Sequence, residues 1–262
     1  MVDHDRPAVG AVPFPAPPVD LPAHLRPVRP LGRGGSATVW LVRDRRRGDH
    51  VALKVLEGTV DVASLLGRVE REARALARLD GHPAVASIRA CGADRHGRVW
   101  IATSFVVGPT LADRVRASEP LDGAEALEVF RALAAALADA HGVGVVHGDV
   151  SPANVVLGRA GPVLVDFGVG GVDAHVGERA RTPVVAPPER LRGVRPRPAG
   201  DVWSAAATVR WATAPGAVLP ESCRRLVHRC LSEVPADRPT APALRSALGD
   251  GAAGLSSPRR SR

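Results

Sequence analysis

The run His147-Gly148-Asp149-Val150-Ser151-Pro152-Ala153-Asn154-Val155-Val156-Leu157, followed by Asp166-Phe167-Gly168, carries the residue types that a magnesium-dependent phosphoryl transfer requires. An aspartate can orient an attacking hydroxyl, and oxygen ligands from Asn and Asp suit a hard cation. In this chain Asp149 is the candidate for the hydroxyl, Asn154 and Asp166 are the candidates for metal, and Gly168 supplies a tight turn that would aim Asp166. Taken singly, either aspartate reads equally well as a turn cap or a strand end. The joint spacing, with apolar runs on both sides, points to a site.

The stretches before it supply what such a site needs. Leu31-Gly32-Arg33-Gly34-Gly35-Ser36-Ala37-Thr38-Val39 reads as a Gly-rich hairpin between strands, and His50-Val51-Ala52-Leu53-Lys54-Val55-Leu56 reads as a third strand after a turn at Arg47-Gly48-Asp49. Glycine lets backbone amides approach phosphates closely. The hairpin lacks a GKS or GKT ending and does not open a helix, which excludes a P-loop. Lys54 is the single lysine among 35 basic residues. A compact ammonium on a strand, kept in a chain that otherwise uses arginine, suits two phosphates better than a planar guanidinium. Residues 61–79 read as a helix with Leu65, Val69, Ala73, Leu76 and Leu79 on one side, and it offers Glu70 and Glu72 as partners for Lys54. Two strands follow, around 86–91 and 99–105, then the most apolar helix over 123–141, and closing helices over 221–232 and 240–248.

In order along the chain, these features resemble the protein kinase family, most closely the bacterial serine/threonine kinases. The spacing Asp149, Asn154, Asp166 looks like the catalytic loop and metal motif, with HGD where most members have HRD. Gly32, Gly34 and Gly35 resemble the glycine-rich loop, with Ala37 at its third glycine. Val51-Ala52-Leu53-Lys54 resembles the strand whose lysine contacts the α and β phosphates, and Arg71-Glu72-Ala73-Arg74 the helix that carries its glutamate partner. The resemblance implies an α+β, two-lobed kinase-like fold: a small β-rich N-lobe over 25–103 and a larger helical C-lobe over 107–249. It also implies ATP and Mg2+ as cofactors, with Leu31, Val39, Ala52, Thr103, Ser104, Phe105, Val106 and Val156 around the nucleotide. Thr103 would be the gatekeeper, and backbone groups of 104–106 would meet adenine. Thr182-Pro183 and Pro187-Pro188-Glu189 look like the peptide-binding segment and the Ala-Pro-Glu motif; Glu189 would pair with Arg238, and Asp201 would accept backbone hydrogen bonds from the catalytic loop or cap a helix that starts there.

Three departures qualify the expected activity. Gly148 replaces the arginine that receives an activation-loop phosphate, and no Ser, Thr or Tyr lies between Gly168 and Thr182, so a phosphate-triggered switch is not expected. Ser151 stands where protein-serine kinases carry a lysine that stabilises the transferring phosphoryl group; losing such a donor costs roughly 3 to 4 kcal/mol. Ser151 therefore belongs with Asp149, Lys54 and Glu72 among the residues that set the rate. Only 36 residues separate Asp201 from Arg238, an interval in which the family usually fits one more helix. The main reading is transfer of the γ-phosphoryl of Mg-ATP to Ser or Thr of a protein; the rivals are a nucleotide-binding pseudokinase and a small-molecule phosphotransferase.

Composition sets the outer bounds. The chain has 262 residues, a formal charge of +8, four Trp and four Phe, and no Tyr, so its core must draw on Val, Leu and Ala. The arginines are scattered, with few aromatics for stacking, which argues against nucleic acid as partner; the kinase resemblance implies a protein substrate or regulator. Oligomeric state is not encoded in any motif. Cys91, Cys223 and Cys230 form neither a disulfide framework nor a zinc spacing. No stretch of 18 apolar residues occurs, so no membrane segment is expected and the chain reads as cytoplasmic. Residues 1–24, with prolines at 7, 13, 15, 17, 18 and 22, read as a disordered leader, and 250–262 as a disordered basic tail.

Overall fold

The computed structural model describes residues 17, 19–33, 37–56, 61–167 and 185–249. They form a two-lobed α+β fold, a small β-rich unit followed by a larger helical one. Among the described residues, 17–81 and 86–106 belong to the first unit, and 82–85 together with the chain from 107 belong to the second.

The first unit is built on a five-stranded antiparallel sheet in the order β1-β2-β3-β5-β4. Its strands are β1 Leu25–Arg33, β2 Ala37–Asp44, β3 Asp49–Leu56, β4 Ile88–Ala93 and β5 Val99–Ser104. Register explains why these strands need two kinds of residue. Val39 pairs with Lys54, Leu41 with Ala52, Ala52 with Thr103 and Lys54 with Ile101. Directly paired residues share a face and alternate residues share it along a strand, so these six side chains lie on one face. The opposite face carries Trp40, Val42, Val51, Leu53, Val55, Trp100 and Ala102, which are buried as one cluster. Two tryptophans thus provide bulk where a core of Val, Leu and Ala was expected. Gly92 of β4 makes room for one of them, since a Cβ there would lie 2.9 Å from the Trp100 ring.

That cluster also takes in residues read from the sequence as the end of a leader. Pro17 and Val19 are buried, and Leu21 packs against the same cluster. The Asp20 amide donates to Asp94 at 3.2 Å and its carboxylate meets Arg95 at 2.9 Å. We call residues 19–24 the strap. Asp94 opens the turn between β4 and β5 and also accepts from the amides of His96 and Arg98, both at 2.8 Å, and from the Arg98 guanidinium at 2.9 Å.

Helix α1, Val62–Leu76, starts where the Asp61 carboxylate accepts from Ala63 and Ser64. It buries Leu65, Val69, Ala73 and Leu76. The expected helix over 61–79 therefore ends in a tighter 3-10 turn, Ala77–Leu79.

The second unit centres on α3, Gly123–Gly142, which Asp122 and Glu125 open with a reciprocal capping box. It packs against α5, Pro198–Ala212, and α7, Ala241–Leu248, with α6, Glu221–Cys230, against α5. Helix α5 buries the small run Ala205-Ala206-Ala207, which lets neighbouring elements approach closely. The start expected at Asp201 is displaced: α5 begins at Pro198, whose fixed φ suits the first helical position, so Asp201 lies one turn inside. Two short helices, α2 Leu111–Arg116 and α4 Pro188–Leu191, and the hairpin β6 Val155–Gly158 with β7 Gly161–Leu164 complete the unit. Residues 213–220 join α5 to α6 without a helix, as the short interval implied. No described helix is long and apolar enough to cross a membrane.

Candidate active site

Asp201 fixes the base of the loop that carries Asp149. It is buried, and its carboxylate accepts the His147 amide at 2.8 Å, the Gly148 amide at 2.7 Å and His141 Nε2 at 2.9 Å. Three donors converge on one carboxylate, so the alternative role as helix cap is excluded by the helix start at Pro198. His147 is buried as well. Its Nδ1 accepts the Asp149 amide at 3.2 Å while Nε2 faces the Val165 carbonyl at 3.1 Å, an arrangement that assigns the proton to Nε2. Its ring also meets Phe167 edge-on at 4.7 Å. Gly148 sits at φ +75°, where glycine is unstrained and an arginine would not be.

The hairpin then brings the metal candidates together. Val155 pairs with Leu164, and the Val165 amide donates to the Asn154 carbonyl at 2.9 Å. Asn154 and Asp166 therefore leave the same open end of one ladder. Asn154 Nδ2 donates to the Asp149 carbonyl at 2.8 Å and to its carboxylate at 3.3 Å. This orients the amide and leaves its oxygen as the remaining ligand atom. Asp166 itself adopts φ +56°, a left-handed conformation that Asp tolerates better than most residues and that marks strain held at a functional position. Gly168, where the turn is expected, lies outside the described residues. Oxygen donors from one amide and one carboxylate match Mg2+, which is commonly held by one or two carboxylates together with substrate phosphates. Among the described residues no group of three or more His, Cys, Asp or Glu forms a metal cluster, and a nucleotide-borne Mg2+ needs none. Ser151 is buried at the head of the 3-10 turn Pro152–Asn154, and Val156 is buried in β6.

In the first unit the expected nucleotide-facing residues fall on one side. Val39, Ala52, Lys54 and Thr103 share a sheet face by register, opposite the tryptophan cluster, and each is half-buried. Leu31 and Gly32 belong to β1, whereas Gly34 and Gly35 lie outside the described residues. Glu72 is a half-buried residue of α1 beside the apolar stripe, and Glu70 pairs instead with Arg74 at 3.1 Å. Of the three amides expected near adenine, Ser104 donates to Ser87 and Phe105 to His50. Val106 is the one whose amide has no acceptor among the described residues.

The sequence profile of the protein kinase domain matches residues 25–220. The chain belongs to the protein kinase family. It is 38% identical over 187 residues to serine/threonine-protein kinase PknK of Mycobacterium tuberculosis, which covers 70% of this chain and 17% of that one. It is 31% identical over 256 residues to PkaA of Streptomyces coelicolor, covering 81% of this chain and 47% of PkaA. This kinase domain thus spans less than half the length of either relative. Among solved structures, the PknI kinase domain of M. tuberculosis superposes with a TM-score of 0.64 at 29% identity, covering 86% of this chain and 94% of that one. Family membership carries a protein-kinase-like phosphotransferase character and the capacity to bind nucleotide.

A second cluster, around a buried Arg238, ties the second unit together. Arg238 forks onto Glu189, NH1 to Oε1 at 2.6 Å and NH2 to Oε2 at 2.8 Å, and also donates to the Ser232 and Ala199 carbonyls. The Arg238 hydrogen bonds hold the Glu189 carboxyl below its ordinary value, against the opposing effect of burial. Two histidines of this unit received no site role from the sequence. His141 supports Asp201, and His82 bridges the Ala84 amide to Asp139 at 3.2 Å, where Arg245 also binds at 2.7 Å. Position alone could have flagged His141, since it ends the most apolar helix six residues before His147. Thr182 and Pro183 lie outside the described residues.

Proposed function

We propose that this chain transfers the γ-phosphoryl group of Mg-ATP to a Ser or Thr hydroxyl of a protein. The observation that carries this reading is the Asn154 side chain bonded to Asp149 at the same hairpin end that presents Asp166. Asp149 orients the acceptor hydroxyl and takes its proton. Lys54, positioned by Glu72, holds the α and β phosphates; Val39, Ala52 and Thr103 are the first unit's contacts for the adenine, with the Val106 amide as donor, and Val156 is the second unit's. Asn154 and Asp166 are the ligands for Mg2+, which when bound neutralises charge on the phosphates. His147 keeps Asp149 in register through its amide, and Asp201 keeps His147.

Purified protein incubated with labelled Mg-ATP and a mixture of unfolded proteins should transfer label, and Asp166→Ala should transfer none. Equal labelling by the variant would refute the assignment. One observation favours a second reading, a nucleotide-binding regulatory module. Ser151 places a buried hydroxyl where a lysine would stand, leaving the loop without that cation. Tight nucleotide binding with no transfer to any acceptor is the outcome that reading predicts.

A further inference from the structure

Between Glu189 and Asp201 the chain carries Arg190, Arg192, Arg195 and Arg197 and no carboxylate. This stretch is ordered locally. The Arg190 amide donates to Pro187, Gly193 to Arg190 and Val194 to Glu189, and the Arg190 guanidinium closes onto the Val194 carbonyl at 2.9 Å. Gly193 makes the turn at φ +81°. The resulting ridge holds Leu191 67% exposed and Val194 39% exposed, flanked by exposed Arg192, Arg195 and Arg197. Those three arginines make no salt bridge among the described residues, although Arg192 lies near enough to Glu189 to help hold its carboxyl below the ordinary value.

Both ends of the ridge are anchored, and one of them leads to the site. Glu189 is held by Arg238, and Arg197 stands immediately before α5. Asp201 lies four residues on, about 6 Å along the helix axis, and accepts the amides at the base of the Asp149 loop. Solvated arginines alone would be an ordinary surface. Two large apolar side chains exposed among them, at this place, are what a docking surface shows. Planar guanidinium forks match carboxylates, and the absence of any aromatic in 190–200 removes the stacking that single-stranded nucleic acid uses.

We propose that residues 190–197 form a substrate-docking ridge that takes an acidic protein segment with an apolar anchor. Substrates are then selected by Asp- and Glu-rich sequence near the acceptor hydroxyl. The substrate role rests on the phosphotransfer reading given above, whereas binding does not.

The test uses the full chain and two fluorescent peptides that share a central Ser and a Leu, one flanked by Asp and Glu, the other by Lys. Fluorescence anisotropy measures binding without nucleotide, and labelled Mg-ATP measures transfer. Tighter binding of the acidic peptide is expected. The double variant Arg192→Glu/Arg195→Glu should weaken it roughly tenfold or more by reversing two charge contacts, with an unchanged melting midpoint as the check on folding. The proposal is overturned if both peptides bind alike, or if the variant binds the acidic peptide as well as the parent does. It is equally overturned if only an oligonucleotide or an anionic vesicle loses binding in the variant. Acidic-peptide binding that depends on Arg192 and Arg195 but comes with no transfer leaves the ridge standing and sinks the phosphotransfer reading. Transfer to both peptides without preference does the reverse.

Discussion

Asp201 has two oxygens for three donors, the buried His147 amide and the part-buried Gly148 amide and His141 ring. Replacing it with Leu should strand the His147 and Gly148 amides at roughly 1 to 3 kcal/mol each, whereas Asn, which keeps one acceptor, should cost less. Denaturant midpoints of the two variants would rank them. Gly148→Ala places a Cβ in a left-handed conformation and should cost about 1 to 2 kcal/mol on the same assay; no loss would mean that the loop does not hold φ +75° in solution. Single residues were legible here to different depths. Asp149, Asn154 and Asp166 stood out because few functions need that set at that spacing. The Asp201 contacts were reachable only through family resemblance, since nothing in the letters tells a buried acceptor from a helix cap. The preference for the Val106 amide was not legible at all: which backbone amides are already committed depends on tertiary pairing with Ser87 and His50.

At the scale of elements, the strap and the β4–β5 turn depend on one carboxylate. Burial raises the Asp94 pKa, and hydrogen bonds from the Arg98, Asp20 and His96 amides and from the Arg98 side chain outweigh it, bringing it down to about 2. A group whose folded pKa is depressed contributes stability that is present above its unfolded value, near 3.8, and is lost as pH falls through the folded one. Acid titration followed by Trp40 and Trp100 fluorescence should therefore show loosening between about pH 4 and pH 2, and Asp94→Asn should remove that pH dependence. Val19→Asp should lower the melting midpoint by setting an unpaired charge in the tryptophan cluster. The strap was hidden in the sequence because proline dominates its composition, while its two anchoring side chains, Val19 and Leu21, are too few to give a periodic signal. The Glu189 pair was legible by resemblance, and its geometry sets the expectation for Arg238→Met: a half-buried carboxylate that loses its guanidinium fork, at about 1 to 3 kcal/mol, readable as a fall in the melting midpoint. The helix boundaries moved by a few residues wherever a proline or an N-cap decided them, as at Pro198 and Asp61.

For the whole molecule, the order of strands and helices was legible in the sequence, and the kinase resemblance implied their two-lobed α+β organisation before any contact was known. The exact division was not. Residues 82–85 follow α1 and precede β4, both in the first unit, yet they belong to the second. Ala84 and Val85 are buried there; the Ala84 carbonyl receives the Leu164 amide at 2.9 Å, and Val85 forms a parallel bridge with Leu164. His82 reaches Asp139 of α3. Four residues between the expected helix and strand are too short to register as an element in the sequence. The consequence concerns how the chain is threaded. The second unit is finished by a tetrapeptide that arrives from upstream, so nicking the backbone between residues 106 and 107 would not release two separate bodies. The upstream fragment would remain attached by the piece it lends, and a size-exclusion profile of the nicked protein should show one species until denaturant is added.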